Sequence, residues 1–289
     1  MINPNSDLLA TIVAATRHIV AERERRCPAN ELAIKANAAR PCGDMFIKAL
    51  KRSGRLNVIA ECKRRSPSAG ILREDYEPEK IAASYETNGA AAVSVLTEST
   101  FFDGSLDDLR TVRSSIDLPI LRKDFIVTSY QLLESVAAGA DAVLIIVSAL
   151  DDHTLSKLLE EVSSLGLAAL VEVHDSMELR RAVQAGASII GVNNRSLRTL
   201  SVDRTTSHNL VKESPLGVLM VAESGLRNRC DLLELSAAGY NGFLVGEALI
   251  GTTDPGETLG RFLDGTLPKD TRLSSNVSEV GSEQPNDFH

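Results

Sequence analysis

No two of the four cysteines, Cys27, Cys42, Cys62 and Cys230, form a C-x-x-C pair. That spacing builds neither a zinc site nor a redox dithiol, and scattered free thiols suit a reducing cytoplasm. Basic residues are in deficit: 31 Lys and Arg face 39 Asp and Glu, a net charge of -8. An acidic surface argues against broad nucleic-acid binding, which needs a basic face. It still admits a small anionic ligand, because a local cationic pocket can sit in an acidic protein. No apolar run reaches the roughly 20 residues of a membrane-spanning helix. The N-terminal apolar stretch is broken by Thr16, Arg17 and His18 and reads as an amphipathic helix rather than a signal peptide. A G-x-G-x-x-G turn and a Walker loop are both missing, which weakens a doubly wound dinucleotide fold and a nucleoside-triphosphate site.

What is present is a core and a rhythm. Of 289 residues, 43% are hydrophobic, enough for one large domain or two smaller ones. Four segments resemble one another: "NGAAAVSVLT" (88–97), "AGADAVLIIV" (138–147), "AGASIIGVNN" (185–194) and "AGYNGFLVGE" (238–247). Each has a Gly suited to the positive φ just past a helix end, then an apolar run suited to a strand buried on both faces. Four further runs interleave with them: "NVIAECK" (57–63), "LPILRKDF" (118–125), "LAALVEVH" (167–174) and "GVLMVAES" (217–224). Helical patterns fill the gaps, among them 176–185, with Asp175 and Ser176 as candidate N-caps. Eight strands alternating with helices predict an α/β fold, a (β/α)8 TIM barrel. Residues 1–48 are expected to form an N-terminal helical extension, 49–267 the barrel, and 268–289, polar throughout, a disordered tail.

Polar residues at the C-terminal ends of barrel strands read as active-site groups. The run 57–63 ends in Glu61 and Lys63 and is followed by Ser66; 118–125 carries Arg122, Lys123 and Asp124. Glu172 and His174 lie at the end of the fifth run, Asn193, Asn194 and Arg195 after the sixth, Glu223 and Ser224 at the seventh. Side chains alternate along a strand, so Glu61 shares a face with Lys63 and Glu172 with His174, while Cys62 points away from the interior. His174 by itself reads as a surface or supporting imidazole, since a Glu-x-His metal site lacks further ligands. The turns "AESGLRNR" (222–229) and "LVGEALIG" (244–251) place Gly where strands 7 and 8 lead into helices, the customary phosphate site of this fold.

"IAECKRRSPSAGIL", "LTESTFFDGSLDDL", "PILRKDFIV", "LVEVHD", "GVNNRSLRTL" and "AESGL", in this order, resemble the sequence blocks of the indole-3-glycerol-phosphate synthases, over roughly residues 7 to 265. The resemblance implies conversion of 1-(2-carboxyphenylamino)-1-deoxyribulose 5-phosphate to indole-3-glycerol phosphate, carbon dioxide and water, a carboxy-lyase step of tryptophan biosynthesis that uses no cofactor or metal. It implies that the N-terminal extension partly covers the barrel mouth. It makes Lys123 the general acid for ring closure and Lys63 an aid to binding and later proton transfer. Glu61 and Glu172 become proton-transfer carboxylates, with Asn193, Arg195, Glu223 and Ser66 around the substrate. Phe102, Phe125, Leu144 and Leu197 would wall the aromatic ring; Ser224, Gly225, Gly246 and the Glu247 amide would hold phosphate. The turn Gly246-Glu247-Ala248 departs from the family pattern, where Ser often follows the Gly or the Glu, so backbone amides would carry that contact.

The chemistry agrees with these residue types. An anilino ring carbon is a weak nucleophile, and an ammonium beside the ketone oxygen makes the ketone more electrophilic. Loss of hydroxide needs a second acid, and a lysine with a depressed pKa beside another cation would help. The partner is a phosphorylated small molecule, with no nucleic acid or membrane, and the chain is expected to act as a monomer or homodimer. Two alternatives remain at this point: a phosphosugar isomerase on the same barrel, and a non-catalytic phosphometabolite-binding barrel.

Overall fold

The computed structural model describes residues 8–265; the expected tail lies outside them. Eight parallel strands close into a barrel: β1 Val58–Cys62, β2 Ala92–Leu96, β3 Ile120–Lys123, β4 Ala142–Ile146, β5 Ala168–Val173, β6 Ile189–Asn193, β7 Leu219–Glu223 and β8 Gly242–Val245. Each expected run contains one of them. Neighbours in sequence are neighbours in the barrel, and β1 closes the ring by pairing with β8, Ile59 opposite Leu244.

Strand alternation divides the apolar residues into two layers. Ile59, Leu121, Leu144, Leu170, Ile189, Val221 and Leu244 fill the barrel interior. Val58, Ala60, Val93, Val143, Val171, Val192 and Phe243 face the surrounding helices. Cys62 belongs to this outer layer, as alternation predicts, and its thiol lies against the Pro78 carbonyl.

The surrounding helices start and stop where side chains satisfy their free ends. After α4 (Pro78–Thr87), Ser105 and Asp108 form a capping box on α5 (Leu106–Arg113), and Thr128 and Gln131 do so on α6 (Ser129–Ala138), which α7 (Asp152–Ser164) follows. Asp175 accepts the Met177 and Glu178 amides at the start of α8 (Ser176–Gln184), so Ser176 is the first helical residue rather than the cap. The recurrent glycines Gly89, Gly139, Gly186 and Gly239 all have positive φ, 87°, 91°, 86° and 119°. That conformation ends a helix and turns the chain into the next strand.

Three helices precede β1: α1 Leu8–Arg26, α2 Ala29–Ala38 and α3 Gly43–Leu50. Leu9 and Ile12 of α1 share an apolar cluster with Phe125, Leu144 and Ile146. Arg23 ties α1 to α6 through Glu134 at 2.9 Å. At the other end of the barrel, α3 forms the floor: Phe46 and Leu50 join the interior cluster, and the Gly43 amide donates to the Gly166 carbonyl just before β5. α3 thus runs two residues past the expected boundary at 48.

Candidate active site

The interior changes character at the C-terminal ends of the strands. One layer above Ile59, Leu121, Leu170 and Val221, the inward residues are Glu61, Lys123, Glu172 and Glu223. Two-residue alternation brings them there, one strand after another. They line a cavity of about 950 Å³, open mouth included. Lys123 Nζ lies 3.4 Å from Glu172 Oε2 and 3.6 Å from Glu223 Oε2. Lys63 Nζ is 2.6 Å from Glu61 Oε1. Glu61, Glu172 and Glu223 are only 3%, 1% and 1% exposed. Glycines make room for them: a Cβ at Gly191 would lie 2.0 Å from Glu223 Oε1, and one at Gly246 2.2 Å from Glu61 Oε1.

Two of the buried carboxylates around Lys123, Glu172 and Glu223, do not titrate alike. Burial disfavours the charge on Lys123, but Glu172, Glu223 and Glu61 outweigh it and raise its pKa above the ordinary lysine value. Lys123 is therefore not a lysine with a depressed pKa: its nearest charges are anions, not a cation. Burial raises Glu172, yet Lys123, His174 and the Asn193 amide overcome it and leave the carboxyl below its ordinary value. Glu223 goes the other way, to about 8, through burial and the negative charges of Glu172 and Glu61, with Lys123 and His174 opposing. At neutral pH the pair holds one ionised carboxylate and one neutral acid.

The walls are apolar and the rim is polar. Phe102 and Phe125 stand 6.3 Å apart between ring centroids, tilted by 39°, and Leu96, Leu144, Ile146, Leu197 and Leu200 continue the wall. Ser224 and Gly225 are consecutive left-handed residues, φ 64° and 75°; a non-glycine held there is strained, as ligand-clamping turns often are. Gly246 and Glu247, at the end of the neighbouring strand β8, line the same cavity. Arg195 spans the rim, donating to Ser68 Oγ and pairing with Glu247, each at 3.1 Å. Ser66 accepts the Ala69 amide at 3.2 Å. The Ser-Pro-Ser-Ala-Gly turn (66–70) is the tip of a short antiparallel hairpin pairing Arg65 with Ile71 and Ser66 with Gly70.

Every residue that the family resemblance assigned to the site lines this one cavity: Glu61, Lys63, Ser66, Phe102, Lys123, Phe125, Leu144, Glu172, Asn193, Arg195, Leu197, Glu223, Ser224, Gly225, Gly246 and Glu247. Arg122 does not. It is fully buried on the outer face of β3, where it meets Asp124 at 2.8 Å, Glu134 at 3.4 Å and the Gln131 carbonyl at 2.8 Å. Reading it as a mouth residue from its place at a strand end is corrected: alternation puts it opposite Lys123, in a structural ion cluster. Asn194 likewise serves the scaffold, its carboxamide oxygen accepting from Ser207. Gly191 and Gly246 have the same task, but the first was missed; a glycine inside a strand is the signal for close approach. His174 is nearer the chemistry than expected, with Nε2 3.5 Å from Glu172 Oε1. Among the described residues, no group of three or more His, Cys, Asp or Glu side chains is arranged to hold a metal ion.

A closed parallel barrel with ionisable side chains and a strained turn gathered at its C-terminal mouth defines a (β/α)8-barrel enzyme. Two solved structures share that fold. An N-acetylmannosamine-6-phosphate 2-epimerase from Clostridium perfringens superposes with a TM-score of 0.53 at 16% identity, covering 66% of this chain and 86% of its own. A thiamine phosphate pyrophosphorylase from Pyrococcus furiosus does so at 0.54 and 18%, covering 72% and 93%. A sequence model described as indole-3-glycerol phosphate synthase matches residues 9–262, and this chain belongs to that family. Its relatives include indole-3-glycerol phosphate synthase 1 of Streptomyces coelicolor, 49% identical over 86% of this chain and 91% of the relative. Those of a Parafrankia species and of Mycolicibacterium gilvum are 48% and 47% identical, over 92% and 87% of this chain and 98% and 92% of theirs.

Proposed function

We propose that the chain converts 1-(2-carboxyphenylamino)-1-deoxyribulose 5-phosphate to indole-3-glycerol phosphate, carbon dioxide and water, as a carboxy-lyase of tryptophan biosynthesis. The observation that carries the residue roles is the position of Lys123, an ammonium ringed by carboxylates at the mouth of an apolar cavity.

The aromatic carbon bearing the carboxylate attacks the ketone carbon, and the carbonyl oxygen takes up negative charge. Lys123 donates a proton to that oxygen; its ammonium is fully charged at neutral pH, so it stabilises the developing alkoxide before transfer is complete. The carboxylate then leaves as carbon dioxide, and its electron pair restores the aromatic ring. The new hydroxyl departs as water, which requires one proton delivered and one removed. Glu172, held ionised, takes the proton; Glu223, held neutral, and Lys63 are the donors within the same cavity. Glu61 balances Lys63 at 2.6 Å. Asn193 and Arg195 orient the sugar chain. Phe102, Phe125, Leu144 and Leu197 hold the ring, and their apolar contact favours loss of a charged carboxylate. Ser66, Ser224, Gly225, Gly246 and the Glu247 amide bind the polar end and the phosphate, with Ala248 contributing no hydroxyl.

The enzyme works in the cytoplasm as a monomer or homodimer, with helices α1 to α3 (8–50) as an N-terminal extension and the catalytic barrel after them. The test is turnover by the purified chain. Indole fluorescence should rise with release of one carbon dioxide per indole. Tight binding of the substrate with no indole would favour the binding barrel, and isomerisation of phosphoribosyl anthranilate without indole would favour the isomerase.

A further inference from the structure

Glu172 and Glu223 are equally buried and both reach Lys123. One ammonium leaves a second buried carboxylate uncompensated, a costly state unless another group intervenes. The intervening group lies behind Glu172. His174 follows it by two residues and so shares its face, and the ring Nε2 stands 3.5 Å from Glu172 Oε1. Neither of those two atoms hydrogen-bonds to any other group among the described residues.

The opposite ring nitrogen is anchored. His174 Nδ1 is 3.1 Å from Glu178 Oε2, and the same oxygen accepts the His174 backbone N–H at 2.8 Å. Glu178 is itself fixed, standing in the first turn of α8, where the Asp175 side chain accepts its amide at 2.8 Å. Both nitrogens of His174 therefore face carboxylate oxygens, and only the imidazolium donates to both. The charged groups that face it are Glu172 on β5, Glu178 on α8 and Glu223 on β7, all acidic; burial opposes its charge and these three outweigh burial, raising its pKa.

We propose that His174, braced by Glu178, is a positioning residue that holds Glu172 by Oε1, presents Oε2 to Lys123 and the substrate, and supplies the second cation that makes Glu172 rather than Glu223 the charged member of the pair. The inference rests on the roles given above to Lys123 and Glu172. It extends them to two residues outside the cavity lining, and gives the Asp175 cap a further consequence: it sets the brace.

His174→Asn and Glu178→Gln test it, with wild type and Lys123→Ala alongside. Removing the cation raises the pKa of Glu172, so the acidic limb of the kcat–pH profile should move up by about one unit in His174→Asn. Glu178→Gln should move it the same way by less, because a neutral amide holds the imidazolium less firmly. KM should stay near the wild-type value while kcat falls by about tenfold. An acidic limb unmoved in Glu178→Gln, or in a folded His174→Asn, beside an inactive Lys123→Ala, would overturn this inference alone. Full turnover by Lys123→Ala would overturn the site reading and this inference with it.

Discussion

Replacing Gly191 with alanine adds one methyl group to the middle of a buried strand, and nearly the whole effect should fall on Glu223. The new Cβ would stand 2.0 Å from Glu223 Oε1 and 3.2 Å from its carboxyl carbon, with Leu170 Cδ1 also at 3.2 Å. Ordinary contact begins at 3.4 Å, so the oxygen must retreat by about 1.4 Å. Glu223 has no hydrogen bond to give up, since neither of its oxygens has such a partner among the described residues. What it loses is its place 3.6 Å from Lys123. A misplacement of about 1 Å at a catalytic group costs on the order of a hundredfold in rate, so kcat for Gly191→Ala should fall by about that factor. The fold should survive: Gly191 does not adopt a positive φ, and alanine is the better strand residue. Steady-state indole fluorescence gives kcat, and thermal unfolding gives the check on folding. Glu223→Gln in the Gly191→Ala background should cost far less than the product of the two single losses, since both act on one group. A folded Gly191→Ala with wild-type kcat would refute the idea that the position of Glu223 matters to turnover.

Three further outcomes follow from the same geometry. Glu223 is held neutral up to about pH 8, so activity should decline on the alkaline side as the Glu172–Glu223 pair loses its remaining proton near there, and Glu223→Gln should abolish that limb. A pH profile of Glu223→Gln identical to wild type would count against a donor role for this carboxyl. Arg122→Met strips the cation from buried Asp124 and leaves buried Glu134 with Arg23 alone; stability to urea should drop by roughly 3–5 kcal/mol, with kcat near wild type in the cold because the side chain faces away from the cavity. Gly246→Ala should disturb Glu61 and Lys63 together, since the added Cβ would lie 2.2 Å from Glu61 Oε1 and 3.1 Å from Lys63 Nζ; a kcat unchanged from wild type would show that this ion pair is dispensable.

Period and punctuation made the barrel legible. A helix-ending glycine with positive φ before each of four apolar runs, and four more runs between them, are enough to count eight strands. Alternation then places Glu61 and Lys63 on one face and Cys62 on the other. The individual roles were less legible, because strand-end charge alone does not tell inside from outside. Arg122 and Lys123 are adjacent and both cationic, and the pleat sends one to the scaffold and the other to the cavity. Nor does a one-dimensional pattern show which side chains converge from different strands. The pKa of Lys123 is set by Glu61, Glu172 and Glu223, which come from β1, β5 and β7, and the raised rather than depressed value follows from that convergence. His174 looked peripheral for the same reason: its importance lies in Glu178 on the next helix and Glu172 behind it.

We propose that Lys123 supplies the proton and the positive charge for ring closure. The most direct test is single-turnover kinetics of Lys123→Ala, with substrate binding and thermal unfolding measured on the same preparation. The variant should fold and still bind the carboxyphenylamino-deoxyribulose phosphate but form indole at least about a hundredfold more slowly than wild type. Indole formation at the wild-type rate by that variant would contradict it.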